Sequence, residues 1–174
     1  MSTPKLIVMA GLPGSGKSTL AEHIAKHLKL PIFSVDPIES AIIKAGIKKS
    51  FETGCAAYLV AEKLAEQQIK LGNTVVIDAV NAEDEAKQVW IDCASRLKIP
   101  LVVIECVLKN EAIHRKRIEK RVRGLHGFDE ITWERVEERR KSYTPWQRDT
   151  LVVETSGDSE ELLAAVLDFI THSK

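Results

Sequence analysis

Five runs of apolar, largely β-branched residues recur along the chain, at 6–10, 32–35, 74–77, 101–107 and 151–153, and each is followed by a segment of helical character. The runs are continuously apolar rather than alternating, which implies strands buried on both faces. Strands of that kind separated by helices make an α/β fold, with a five-stranded parallel sheet between helical layers and right-handed crossovers.

The helices are legible from spacing and punctuation. Ala86, Val89, Trp90, Cys93, Ala94 and Leu97 form one apolar stripe at helical spacing that stops before Pro100. Asn81 and Asp84 stand where the start of that helix would be capped. Residues 19–28 and 54–71 read as further helices, the second stopped by Gly72. Asp158 and Glu161 are spaced as a capping box ahead of a last helix over 162–170. No repeat, linker or low-complexity tract interrupts this order, and one domain over 1–174 is expected.

The strongest chemical signal follows the first strand directly. Gly11, Leu12, Pro13, Gly14, Ser15, Gly16, Lys17 and Ser18 satisfy G-x-x-x-x-G-K-[ST], and Thr19 opens the helical run. Glycines at that spacing let successive backbone N–H groups point inward at phosphate oxygens, and the helix N-terminus adds its positive end behind them. Lys17 is then placed to reach the β and γ phosphates, and the Ser18 hydroxyl to ligate Mg²⁺.

Two aspartates close later strands, where a parallel sheet opens its ligand crevice. Asp78 ends the third run and suits a magnesium shell, or else begins an ordinary turn. Asp36, before Pro37, suits a general base that takes the proton of an attacking hydroxyl, or else a turn or helix cap. Asn81 reads first as an N-cap and second as a substrate contact. His23 and His27 lack the glutamate of a His-Glu-x-x-His site and read as a solvent-facing pair. Trp133, Tyr143 and Trp146 read as packing residues.

Lys+Arg and Asp+Glu number 25 each, so no global positive field holds the chain on nucleic acid or an anionic membrane. Charge is nevertheless uneven. Between Lys109 and Arg123 seven basic residues stand against two acidic ones, and an acidic stretch follows over 129–140. Arg115, Arg117 and Arg121 fall on one basic helix, where Arg117 and Arg121 are i, i+4 neighbours able to face one anion. Guanidinium groups suit the oxygens of a transferring phosphoryl group. The other readings are a solvated basic face and, with few aromatics interleaved, a less favoured RNA patch. Three cysteines, Cys55, Cys93 and Cys106, show no Cys-x-x-Cys pair, and the N-terminal apolar run is too short for a leader or a membrane span. A soluble protein of the reducing cytoplasm is expected.

These residues resemble the P-loop nucleotide and small-molecule kinases, in particular the subgroup labelled AAA-type ATPase or predicted kinase, whose wider kin include gluconate kinase, chloramphenicol phosphotransferase, polynucleotide kinase and zeta toxins. Residues 11–19 match the P-loop of that group, and Val35-Asp36-Pro37 is similar to its acidic position on strand two. Residues 75–81 are similar to its strand ending in aspartate, and 114–121 to its lid helix, where arginines clamp phosphates. Thr132-Trp133 and 143–146 look like the subgroup's tail, and 155–157 falls where related folds pass the adenine. The resemblance implies strand order 2-3-1-4-5, a mobile lid over roughly 109–128, and ATP with Mg²⁺ as cofactors. It does not name the acceptor. Residues 38–72, which would line the acceptor pocket, contain no arginine, so a nucleoside monophosphate fits poorly and only Lys44, Lys48 and Lys49 leave a weaker anionic site.

The expectation is therefore a Mg²⁺-dependent phosphotransferase acting from ATP on a hydroxyl of a small molecule. A slow ATPase acting as a nucleotide-dependent switch and a kinase of nucleic-acid 5′-hydroxyls are the competing readings. The oligomeric state and the choice between ATP and GTP stay open.

Overall fold

A computed structural model describes residues 3–173. The elements run β1 (Leu6–Ala10), α1 (Lys17–Leu28), β2 (Ile32–Ser34), α2 (Val35–Lys44), α3 (Phe51–Lys70), β3 (Val75–Asp78), α4 (Asp84–Leu97), β4 (Leu101–Val107), α5 (Glu111–Lys120), α6 (Trp133–Ser142), β5 (Thr150–Glu154) and α7 (Ser159–His172). The strands form one sheet in the order β2-β3-β1-β4-β5, every neighbouring pair parallel. That is the architecture expected.

All five residues of β1 are fully buried. Because successive side chains point to opposite faces, Leu6, Val8 and Ala10 join a core built with α3 and α4, while Ile7 and Met9 join a second core built with α1 and α7. Three alanines of α3, Ala57, Ala61 and Ala65, are fully buried and let that helix lie close to the sheet. A third, small cluster of Ile118, Trp133 and Val136 ties α5 to α6, with Leu12 of the glycine-rich loop packed against it. Trp146 belongs to the α3 and α4 core, so Trp133 and Trp146 are packing residues.

Several boundaries differ from those expected. β2 stops at Ser34, and Val35 and Asp36 belong to the first turn of α2. Pro37 follows them within that turn, where a missing N–H costs no helical bond, so the proline starts a helix rather than breaking the chain. α3 begins at Phe51, ahead of the expected 54, where the Ser50 N–H donates to Thr53 Oγ1 at 3.1 Å. α5 ends at Lys120, and Arg121 has left the helix with extended backbone angles. Asn81 does not cap α4, whose N-cap is Glu83. Asp158 caps α7 as expected, accepting from the Glu160 and Glu161 N–H groups. No helix among the described residues is long and apolar enough to cross a membrane.

Candidate active site

The glycine-rich loop leaves β1 in the middle of the sheet and ends at the N-terminus of α1. Gly11 adopts φ +128, and a Cβ there would lie 2.2 Å from the Cys106 carbonyl oxygen of β4. Only glycine allows that turn beside that strand. Gly14 has φ +77, and a Cβ on it would meet Ile118 of α5 at 2.6 Å, so the loop and α5 are in direct contact there. Gly11 and Ser15 are buried behind the loop, and Ser15 Oγ has no hydrogen-bond partner among the described residues.

Lys17, the first residue of α1, is 6% exposed, and its ammonium donates to the Leu12 carbonyl at 3.2 Å. Burial lowers its pKa, and the negative charges of Asp78 and Asp36 oppose that only in part. A cation held at a cost in hydration is one that a phosphate would stabilise.

Two clefts open at the carboxyl edge of the sheet. The first, about 500 Å³, is lined by Gly14, Gly16 and the start of α1 through Thr19, and by Arg117, Arg121, Thr155 and Gly157. The second, about 860 Å³, lies beside α2 and takes in Pro13, Asp36, Tyr58 and Asp78. Lys17, Ser18 and Arg121 line both. The clefts meet at those three residues.

Asp78 ends β3 between Met9 of β1 and Ser34 of β2, nearly buried, and accepts from Ser34 Oγ at 3.4 Å. Asp36, more open, receives Arg123 Nη1 on Oδ2 at 3.2 Å. Ser18 and Asp78 together offer a hydroxyl and a carboxylate. Such hard oxygen donors suit Mg²⁺, which takes few protein ligands and fills its remaining positions with water and phosphate. Among the described residues no group of three His, Cys, Asp or Glu side chains could hold a metal alone.

The arginines of the basic segment are placed differently. Arg117 is spent on the far wall of the first cleft, donating to Thr155 Oγ1 at 3.1 Å and to the Thr155 carbonyl at 2.8 Å. Thr155 Oγ1 in turn donates to the Ser15 carbonyl at 2.7 Å, which braces the loop from β5. Arg121 stands at the junction, where burial and the neighbouring Arg123 lower its pKa. Both guanidinium groups line the first cleft, and only Arg121 also lines the second. Asn81, expected as a cap or a substrate contact, is instead fully buried: its amide donates to the Met9 carbonyl at 2.7 Å, and its Oδ1 accepts from Trp90 Nε1 at 2.8 Å. Its side chain is a core bracket, with its amide and its Oδ1 both engaged within the protein.

Three residues of the site carried no individual signal in the sequence. Arg123 counted only as part of a basic run, yet its guanidinium is nearly buried between Asp36, Glu130 and the Asp129 carbonyl. His114 is buried, with Nε2 2.7 Å from the Pro13 carbonyl and Nδ1 3.4 Å from Arg140. Tyr58 forms a wall of the second cleft, with its oxygen accepting from the Asn81 N–H at 3.4 Å. Each depends on contacts between segments far apart in the chain.

The strand order, the loop and the helical segment over it define the P-loop kinase class of α/β folds. Residues 6–146 match the family described as AAA domain, and the chain belongs to that family. It is 30% identical over 97 residues, 56% of its length, to the bifunctional polynucleotide phosphatase/kinase of Schizosaccharomyces pombe. It is 42% identical over 57 residues, 29% of its length, to the adenylate kinase of Coxiella burnetii. The matched stretches span 20% and 25% of those proteins. The Mycobacterium tuberculosis APS kinase, solved with AMPPNP and APS, superposes with a TM-score of 0.72 at 15% identity, over 98% of this chain and 99% of its own.

Proposed function

We propose that the protein transfers the γ-phosphoryl group of ATP to a hydroxyl of a small molecule. The observation that carries this reading is the meeting of two clefts at Lys17, Ser18 and Arg121, one shaped by the glycine-rich loop and the other holding Asp36. A switch that only hydrolyses nucleotide has no need of a second cleft beyond the phosphate end.

In this reading the triphosphate lies along the amides of 11–16 and the N-terminus of α1, with Lys17 neutralising its terminal oxygens. Thr19, exposed at the start of α1, and Arg117 border the nucleotide. Ser18 and Asp78 would hold Mg²⁺, which would supply charge neutralisation to the phosphates. The acceptor hydroxyl approaches Asp36 from the second cleft. Arg123 occupies Oδ2, which leaves Oδ1 to take the hydroxyl proton as the oxygen attacks γ-phosphorus and the bond to the bridging oxygen breaks, leaving ADP. Arg121 meets the charge that develops between the two clefts. Residues 109–128 act as a lid that excludes water, so that ATP is not spent on hydrolysis. Free Cys55, Cys93 and Cys106 support a reducing, cytoplasmic setting.

The test is a labelled-ATP screen against sugars, nucleosides, nucleotide sugars, antibiotics and oligonucleotide ends. Turnover is expected to rise sharply with one acceptor, and Asp36→Asn to lower transfer at least about tenfold while ATP still binds. Slow hydrolysis indifferent to every acceptor would overturn the reading. The similarity to the polynucleotide phosphatase/kinase favours a second reading, in which the acceptor is a nucleic-acid 5′-hydroxyl. That version requires strand binding that weakens steeply with salt.

A further inference from the structure

The absence of arginine between 38 and 72 argued against a nucleoside monophosphate acceptor, but the fold brings arginines to the second cleft from elsewhere. Arg121 and Arg123 come from the segment after α5, and Arg135 and Arg139 from α6. They are not equivalent. Arg123 is committed to Asp36, Glu130 and the Asp129 carbonyl. Arg135 pairs with Glu138 at 2.8 Å, and Arg140, outside the cleft, with Glu137 at 3.1 Å. The Arg139 side chain makes no hydrogen bond or ion pair with any described residue, and it lines the cleft.

Another cation without an acidic partner among the described residues lines the same cleft from the loop between α2 and α3. Lys49 sits with its ammonium 3.9 Å from the centre of the Phe128 ring, a contact that leaves its three N–H groups to be satisfied by solvent or ligand. Tyr58 adds a neutral donor. Its oxygen already accepts from Asn81, so its own O–H remains to be given, and burial pushes its pKa up to about 12, which keeps that proton in place. The charge of Arg139 acts on the same phenol. One unpaired arginine on a solvated helix is ordinary. Beyond Lys17 and Arg121, which the transferring phosphoryl group would occupy, two further unpaired cations and a phenolic donor line the cleft that also holds Asp36, a set of donors suited to an oxyanion.

We infer that the acceptor carries, besides the hydroxyl that receives the phosphoryl group, a phosphate group of its own, held by Arg139, Lys49 and the Tyr58 hydroxyl. This rests on the phosphotransfer reading above and specifies the acceptor of that same site. The chemistry is offered equally by a small phosphorylated alcohol and by the first internucleotide phosphate of a strand with a free 5′-hydroxyl.

The experiment fills the first cleft before probing the second. AMPPNP with Mg²⁺ is titrated into the full chain and held at saturation, and inorganic phosphate is then titrated by calorimetry into wild type, Arg139→Gln and Lys49→Gln. One saturable phosphate site is expected in wild type, weakened about tenfold, or ~1.4 kcal/mol, in each variant. No saturable phosphate binding in wild type, or equal binding in both variants, overturns the inference. Failure of AMPPNP to bind would bring down the phosphotransfer reading and this inference with it, a failure distinct from loss of the phosphate site alone. Glycerol 3-phosphate and a 5′-hydroxyl trinucleotide are then set to displace the phosphate. Displacement by either keeps the inference and names the source, and displacement by neither overturns it.

Discussion

Lys17 shows what the site asks of a single side chain. Its ammonium is buried against a carbonyl, with its pKa lowered by loss of water. A bound triphosphate would restore the charge balance and raise that pKa again. Nucleotide binding should therefore take up protons on the alkaline side, and affinity should fall as pH rises past the lowered value of the free protein. Calorimetry in two buffers of different ionisation enthalpy reads this directly. An affinity flat across that range would mean that Lys17 does not meet the phosphates. The signature residues around Lys17 were legible because each obeys a local demand on backbone or charge. Asn81 was misread for the same reason: a short polar residue just before a helix resembles a cap, and nothing local announces that Trp90 and the Met9 carbonyl take up its amide.

α5 and the segments around it tell a similar story at the level of elements. Strands and sheet-facing helices were legible because apolar periodicity records burial against a flat neighbour. α5 and α6 bury little and carry mostly charge, so neither the end of α5 before Arg121 nor its seat on the loop was readable. That seat is made by His114. Donation from Nε2 to the Pro13 carbonyl, with Nδ1 left to accept from Arg140, requires the neutral ring. Burial accordingly holds the pKa of His114 below its ordinary 6.5. The unfolded chain then binds this proton more readily than the folded one. The stability it contributes is fully present above about pH 6.5 and is lost as pH falls from there toward the lowered value. Thermal midpoints measured from neutral to mildly acidic pH should show a drop that shrinks in His114→Gln, which keeps an N–H for Pro13 but cannot titrate. An equal drop in the variant would place the acid sensitivity elsewhere.

Across the whole molecule, the proposed transfer is a matter of where two clefts touch. The parallel sheet places the ends of β1, β2 and β3 side by side, so the loop, Asp36 and Asp78 share one edge as soon as the strand order is set. That much follows from the alternation of strands and helices. The arrival of Arg121 at the same point does not, because it depends on the path of the chain after α5. Arg121→Ala should lower kcat by more than it weakens ATP binding, since the guanidinium lies where the two clefts meet, the place at which the proposed transfer would move charge. Steady-state kinetics beside equilibrium binding separates the two, and a larger loss in binding would make Arg121 a ground-state contact. The family match ends at residue 146, whereas Thr155, whose hydroxyl grips the Ser15 carbonyl, lies beyond it. A fragment trimmed to the recognisable homology would retain every signature letter of the glycine-rich loop yet forfeit the rivet that fastens it from behind.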